Sequence, residues 1–118
     1  MNYWYLAGPY SKLDHHQANR LHCEAAALLM ESGITVLSPI AMGHAITHHG
    51  GLGDRDSDWW LAHCKPFVDA AAGCIVLTID GWQESDGTWT EGRWFMDQNK
   101  PVIPMIPGEM PGLSEVSK

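Results

Sequence analysis

Cysteines, basic residues and long apolar runs are all scarce in this sequence, and each shortage excludes a class of protein. Three cysteines without a CxxC pair do not make a disulfide framework, so we expect reduced thiols and a cytoplasmic protein. Seven lysines and arginines stand against fourteen acidic residues, and the net charge of -7 argues against a nucleic-acid partner, which needs clustered basic groups. No stretch reaches the roughly 18 apolar residues of a membrane span, and we expect neither a signal peptide nor a membrane partner.

Short apolar runs alternate with segments of helical period along the 118 residues. The apolar runs predict strands over residues 3–7, 35–38, 74–79 and 102–105. The periodic segments predict helices over residues 14–32, 58–72 and 88–99. Between them, residues 40–56 have no clear period and many glycines and histidines, which predicts a mobile loop or a broken helix. The alternation predicts one three-layer α/β domain over residues 1–105, Rossmann-like or flavodoxin-like, with helices on both faces of a parallel sheet and an irregular tail over residues 106–118.

Ligands of such sheets bind beyond the carboxyl ends of the strands, where the loops gather. The loop after the first strand contains Gly8, Pro9, Tyr10 and Ser11. Its amides and the Ser11 hydroxyl can face an anion at the start of the next helix, although a plain turn between strand and helix is the alternative. The loop is neither a GxGxxG motif nor a P-loop, so we predict no dinucleotide, no triphosphate and no cofactor.

Glu91 follows Thr88 at the spacing of a capping box, in which a glutamate ties up the backbone at the start of its own helix. On spacing alone this structural role is the favoured interpretation. The alternative is a carboxylate at the ligand-binding edge that attacks an anomeric carbon and forms a glycosyl ester, as in a retaining glycosidase.

Histidines and tryptophans supply the remaining candidates for chemistry. His44 and His48 lie four residues apart and His49 follows, but no third ligand or acidic partner stands at a familiar spacing, so we predict no metal. A metal-dependent enzyme built on this segment stays an alternative. Trp82 and Trp89 are either core residues or rings that stack on a base.

Six motifs occur in the same order as in a known enzyme family. They are the segment YLAGPYS that starts at Tyr5, then Ser38-Pro39, Asp80-Gly81-Trp82, Ser85-Asp86-Gly87, Glu91 and Lys100-Pro101-Val102. Together, from residue 3 to about residue 103, they resemble the nucleoside 2-deoxyribosyltransferase superfamily, and in particular its branch of deoxynucleoside 5′-monophosphate N-glycosidases.

The resemblance implies cleavage of the N-glycosidic bond of a deoxynucleoside 5′-monophosphate, by hydrolysis or by deoxyribosyl transfer, through a covalent intermediate on Glu91. Ser85 stands where the family contacts the 5′ end of the sugar. A serine there accompanies monophosphate substrates and an aspartate accompanies free nucleosides, because a hydroxyl donates to phosphate without adding repulsion. The residues that we predict to bind substrate are Gly8, Pro9, Tyr10, Ser11, His44, Trp82, Ser85, Asp86 and Gly87.

Cys64 departs from the family pattern, because relatives often carry at that position an aspartate that protonates or holds the leaving base. A thiol with a usual pKa of about 8.5 is a poor acid at neutral pH, so His44 or Asp86 becomes the candidate proton donor. The departure also leaves open a non-catalytic nucleotide-binding or sensing protein on the same fold. Because relatives complete each active site with a neighbouring subunit, we expect a homodimer or homotetramer.

Overall fold

In the part of the chain that the structure describes, four short apolar runs form the strands of one parallel sheet, and four helices pack around it. The computed structural model describes residues 2–112. In chain order the elements are β1 (Trp4–Ala7), α1 (His15–Glu31), β2 (Val36–Leu37), α2 (Pro39–Gly50), α3 (Ser57–Ala70), β3 (Gly73–Leu77), a 3-10 turn (Trp82–Glu84), α4 (Asp86–Asp97) and β4 (Val102–Met105). The prediction of a three-layer α/β domain with a parallel sheet is confirmed.

The strand order is β2-β1-β3-β4, with all three pairings parallel. It follows the beginning of the flavodoxin-like order, in which the chain reverses its direction of progress between β1 and β3. Tyr5 lies at the centre of this arrangement, since it pairs with Leu37 of β2 and with Cys74 of β3. Sheets of this kind bind ligands beyond the carboxyl ends of the two strands at the reversal.

Successive side chains of a strand point to opposite faces of a sheet, and here both faces are covered. On one face α1 packs against β1, β3 and β4, and the buried side chains include Trp4, Leu6, Ala25, Leu29, Ile75, Leu77, Ile103 and Met105. On the other face α3 and α4 cover a second cluster, with Tyr5, Ala7, Cys64, Val68, Cys74, Val76 and Phe95.

The predicted helix over residues 14–32 is confirmed as α1, and its ends have the predicted signals. The Asp14 carboxylate accepts a hydrogen bond from the backbone amide of Gln17 at 2.8 Å, which caps the first turn. At the other end Gly33 has a φ of 85°, the left-handed conformation in which glycine ends a helix without strain.

The predicted loop or broken helix is wrong for α2, which is one continuous helix over Pro39–Gly50. Ser38 caps its start with its side chain, a proline occupies the first turn, and Gly51 ends it in the left-handed conformation at a φ of 73°. α2 lacks an apolar period, but it is stabilised by close contact with α3. A Cβ atom on Gly43 would lie only 3.1 Å from the Trp60 ring. The glycine therefore lets α3 approach α2 closely.

No helix within residues 2–112 is both long and apolar enough to cross a membrane. Residues 106–112 form neither helix nor strand. The rest of the predicted irregular tail, residues 113–118, lies outside the described residues, as does Met1.

Candidate active site

A cavity of about 470 Å³ opens at the carboxyl edge of the sheet. The loop after β1, the α2 and α3 helices and the first turns of α4 form its wall. It brings together most of the residues proposed from the sequence, namely Gly8, Pro9, Tyr10, Ser11, His44, Ser85, Asp86, Gly87 and Glu91.

Glu91 does not cap its own helix, so the capping-box interpretation is wrong. The helix begins at Asp86 rather than Thr88, and Ser85 is its N-cap. The Ser85 Oγ atom accepts hydrogen bonds from the backbone amide of Thr88 at 3.3 Å and from its hydroxyl at 2.9 Å. Glu91 consequently falls in the second turn, and it lines the cavity.

The Glu91 carboxyl is held by a tyrosine on the first strand. Tyr5 is fully buried, and its hydroxyl donates a hydrogen bond to Oε2 of Glu91. Burial raises the pKa of Glu91 to about 7, although the hydrogen bond from Tyr5 lowers it. A half-buried carboxyl group that titrates near neutral pH in a cavity is a candidate for covalent or acid–base chemistry.

Cys64 lies beside this pair and remains a neutral thiol. Its side chain is 5% exposed and belongs to the same apolar cluster as Tyr5, and the residue lines the cavity. Burial raises the pKa of the Cys64 thiol, a hydrogen bond with Tyr5 lowers it, and the charge of Glu91 raises it. The thiol therefore holds its proton at neutral pH, and it is a weaker acid than a free cysteine.

The loop after β1 lies against a buried histidine, His22, that was not predicted from the sequence. A Cβ atom on Gly8 would lie 2.7 Å from Cε1 of His22, so only glycine fits between the loop and α1. Nε2 of His22 lies 3.3 Å from the carbonyl oxygen of Pro9, and burial lowers the pKa of His22 to about 4. Its neutral ring therefore donates to the loop. Its place between Ala18 and Ala25 on the apolar face of α1 is the sequence signal that could have revealed it.

Charged side chains of both signs line the cavity. The basic residues of the lining are Lys12 and Arg55. Neither was predicted from the sequence, because the chain as a whole is acidic. The Arg55 guanidinium lies 5.3 Å from the centre of the Trp59 ring. Exposed carboxylates on the same lining are Asp54, Asp80, Glu84 and Asp86. An anionic ligand would therefore be held at particular cations and helix amides rather than by the net charge.

His44 stands in the wall of the cavity within a group of aromatic rings. Its side chain is 9% exposed, and its Nδ1 atom lies 2.6 Å from the Tyr10 hydroxyl. The His48 ring lies 4.2 Å away and the His16 ring 5.1 Å away, measured between ring centres. Burial and the neighbouring histidines lower the pKa of His44, so its ring is neutral at neutral pH.

Residues 2–106 match the model of a protein family described as a domain of unknown function, DUF1937. The chain belongs to this family. No curated protein matches the chain.

Trp82 is the one predicted substrate-binding residue that this DUF1937 domain does not bring to the cavity. It lies on the short 3-10 turn before α4, is 36% exposed and is absent from the cavity lining. Trp89, the other candidate for base stacking, is 57% exposed on α4 and also lies outside the lining. Neither ring forms part of the cavity wall of a single subunit.

The raised pKa of Glu91 makes the stability of the DUF1937 domain depend on pH. Between about 4.3, the usual pKa of a glutamate, and about 7, the folded chain keeps a proton that the unfolded chain has lost. Stability therefore falls as the pH rises through this window. We expect the Glu91→Gln variant, which still accepts from Tyr5, to gain about 2 kcal/mol over wild type between pH 5 and pH 8, at 1.36 kcal/mol per pKa unit.

Urea denaturation of both proteins at each pH measures this difference. The comparison with the variant cancels the contributions of all other ionisable groups, which the two proteins share. Parallel pH profiles for the two proteins would contradict the assignment of a neutral-range pKa to Glu91.

Proposed function

We propose that this chain cleaves the N-glycosidic bond of deoxynucleoside 5′-monophosphates through a glycosyl ester on Glu91. The observation that carries the proposal is the direction of the Glu91 carboxyl group. It faces a cavity at the strand ends and is held by the Tyr5 hydroxyl, instead of binding the amides of its own helix. The ordered motifs that resemble the nucleoside 2-deoxyribosyltransferase superfamily supply the reaction class.

The proposed reaction has two displacements at the same carbon. A Glu91 carboxylate oxygen attacks C1′ of the deoxyribose, the C1′–N bond breaks, and the bonding electrons leave with the base, which takes up a proton. Water then attacks C1′ and gives a proton to the group that protonated the base, while the C1′–O bond to Glu91 breaks, which releases deoxyribose 5-phosphate and returns the carboxylate. A second base in place of water would give deoxyribosyl transfer. Only the ionised carboxylate attacks, so activity should rise with pH through the pKa of about 7.

A 5′-phosphate is the best-supported anionic group of the substrate. The α4 helix begins at the cavity with its first amides and the Ser85 hydroxyl, and a helix start of this kind favours an anion. The loop from Gly8 to Ser11 offers further amides on the same lining, with Lys12 next to it and Arg55 in the segment before α3. These groups suit a nucleotide better than an uncharged nucleoside.

The departing base requires a proton, and Cys64 is a poor source because its thiol pKa is raised. His44 and Asp86 both line the cavity and are the side chains that we propose as donors, either directly or through water. Since burial and neighbouring histidines keep His44 mostly neutral, its contribution would be through hydrogen bonding to the base or to water.

Replacement of Glu91 by Gln should abolish the release of base. The amide keeps the size of the side chain and the hydrogen bond from Tyr5, but it cannot form the ester, so we expect a loss of at least roughly 1000-fold in kcat. Chromatography of the base freed from a panel of deoxynucleoside monophosphates measures it.

The matched control is Glu24→Gln, the same chemical change at an exposed residue of α1 that pairs with Arg20. This variant should retain wild-type rates. Undiminished base release by Glu91→Gln would remove Glu91 from the nucleophile role.

The neutral Cys64 thiol favours a second candidate, a protein that binds nucleotides without turning them over. In that case deoxynucleoside monophosphates would raise the melting temperature of wild type by mass action, while no base appears on prolonged incubation. Detectable base release that Glu91→Gln eliminates would reject this candidate.

Ser85→Asp should change the preferred substrate from the monophosphate to the nucleoside. Aspartate is as good an N-cap as serine, so α4 keeps its start, but the new carboxylate repels a 5′-phosphate. We expect kcat/KM for the monophosphate to fall at least tenfold while that for the nucleoside does not. Ser85→Asn, which also caps and carries no charge, should largely retain the monophosphate preference. Equal losses on both substrates would contradict a contact between Ser85 and the 5′ end.

We also propose that the chain works in the cytoplasm as a homodimer or homotetramer. All three cysteines are free thiols, and Cys23 is exposed, which suits a reducing compartment. The rings of Trp82 and Trp89 are both exposed, and aromatic side chains are enriched in protein interfaces. Light scattering should give a mass of at least twice the 13.1 kDa of one chain, and a monomer at micromolar concentration would reject this assembly.

A further inference from the structure

Three histidines from two helices converge on one point beside the cavity. His16 lies in the first turn of α1, and His44 and His48 lie one turn apart on α2. One ring nitrogen from each lies within 4.8 Å of the others. The ring centres are 5.1 Å apart for His16 and His44, 5.0 Å for His16 and His48, and 4.2 Å for His44 and His48.

We propose that His16, His44 and His48 form a binding site for one divalent transition-metal ion. Nothing in the displacement at Glu91 requires such an ion. An ion on Nε2 of His44 would take the nitrogen that could otherwise contact the base, since Nδ1 lies against Tyr10, and would leave Asp86 as the proposed proton donor. The site was not predictable from spacing in the sequence. His44 and His48 are four residues apart on α2, but the third ligand, His16, lies 28 positions before His44 on α1, which packs against α2.

The distances need only a small adjustment for a metal to bind. Nitrogen ligands at 2.0–2.1 Å from a tetrahedral ion are roughly 3.3 Å from one another. In this structure the three ring nitrogens lie within 4.8 Å of one another. His16 and His48 are exposed, so their rings can rotate inward without disturbing the core. The adjustment falls on side-chain torsions and leaves both helices in place.

His44 is already oriented for this role. Its Nδ1 atom lies 2.6 Å from the Tyr10 hydroxyl, which leaves Nε2 as the nitrogen for the metal. Ligating histidines commonly use their second nitrogen in this way, since an outer hydrogen bond fixes the tautomer and the ring orientation. Tyr10 would thereby act as the outer partner of the site.

The ligand type selects the class of metal. Three imidazoles without a carboxylate suit Zn²⁺, Co²⁺, Ni²⁺ or Cu²⁺, whereas Mg²⁺ and Ca²⁺ prefer oxygen ligands. Three protein ligands also leave coordination positions free, as in catalytic zinc sites. His44 and His48 line the cavity, so those positions are accessible to a molecule bound there.

Calorimetric titration of the tag-free protein with ZnCl₂ at pH 7.5 tests the site. We expect one ion per chain, and no heat of binding with MgCl₂. His16→Gln and His48→Gln should each weaken Zn²⁺ binding at least tenfold, because each removes one of three ligands from an exposed position that the fold does not need. The matched control is His49→Gln, an exposed histidine on the same helix outside the cluster, which should retain wild-type affinity.

Two further measurements distinguish the histidine site from a thiol site on exposed Cys23. Cobalt should give the visible spectrum of nitrogen ligation without a thiolate charge-transfer band, and Cys23→Ser should bind zinc as wild type does. A thiol site would show a thiolate charge-transfer band with cobalt and would lose zinc binding in Cys23→Ser.

Glu91→Gln should bind zinc unchanged, so that the metal site and the glycosidase proposal stand or fall independently. Absence of zinc binding, or equal affinity in His16→Gln and wild type, would show that the three rings merely pack together and would overturn the proposal.

Discussion

The hydrogen bond from Tyr5 to Glu91 joins β1 to α4, across a separation of 86 residues in sequence. Tyr5 occupies β1, one of the two inner strands of the sheet, and Glu91 approaches it from α4. A carboxyl group taken this far from water costs folding free energy, which the apolar clusters on both sides of the sheet must offset. The same burial sets the pKa of Glu91 near neutrality. The burial that raises the pKa of Glu91 therefore also lowers the stability of the fold, a combination that is common at functional sites.

The fold followed from local patterns wherever those patterns were strong. The continuous apolar run of β3 required cover on both faces, and α1 had a cap at Asp14 and a glycine at its end. The α2 helix was mispredicted because its stabilising contacts are tertiary. Gly43 weakens a helix by its own propensity, but here its missing side chain admits the Trp60 ring. A prediction from local sequence does not include a contact with a residue of another helix, such as Trp60.

The site was predictable where residues near each other in sequence carry it, and not where the fold brings distant residues together. The loop after β1 and the start of α4 were identified from strand ends alone. The register of α4 was not, because Ser85 and Thr88 are both competent caps, and only the structure shows that Ser85 is used. Tyr5 resembled any buried strand residue, and Arg55 resembled any charge in a loop. Trp82 was expected in the cavity from its neighbours in sequence, yet the 3-10 turn directs it outward.

The contact between Gly8 and His22 has a consequence for how this cavity can vary. Gly8 is not among the glycines with positive φ, so its backbone conformation does not require glycine. The lack of space beside His22 is what excludes a side chain there. The position of the loop after β1 is thus set by the His22 ring, which does not itself line the cavity. A smaller residue at position 22 would free room for a methyl group at position 8 and let the loop sink toward α1. Divergent copies of this fold should therefore change the two positions together or keep both.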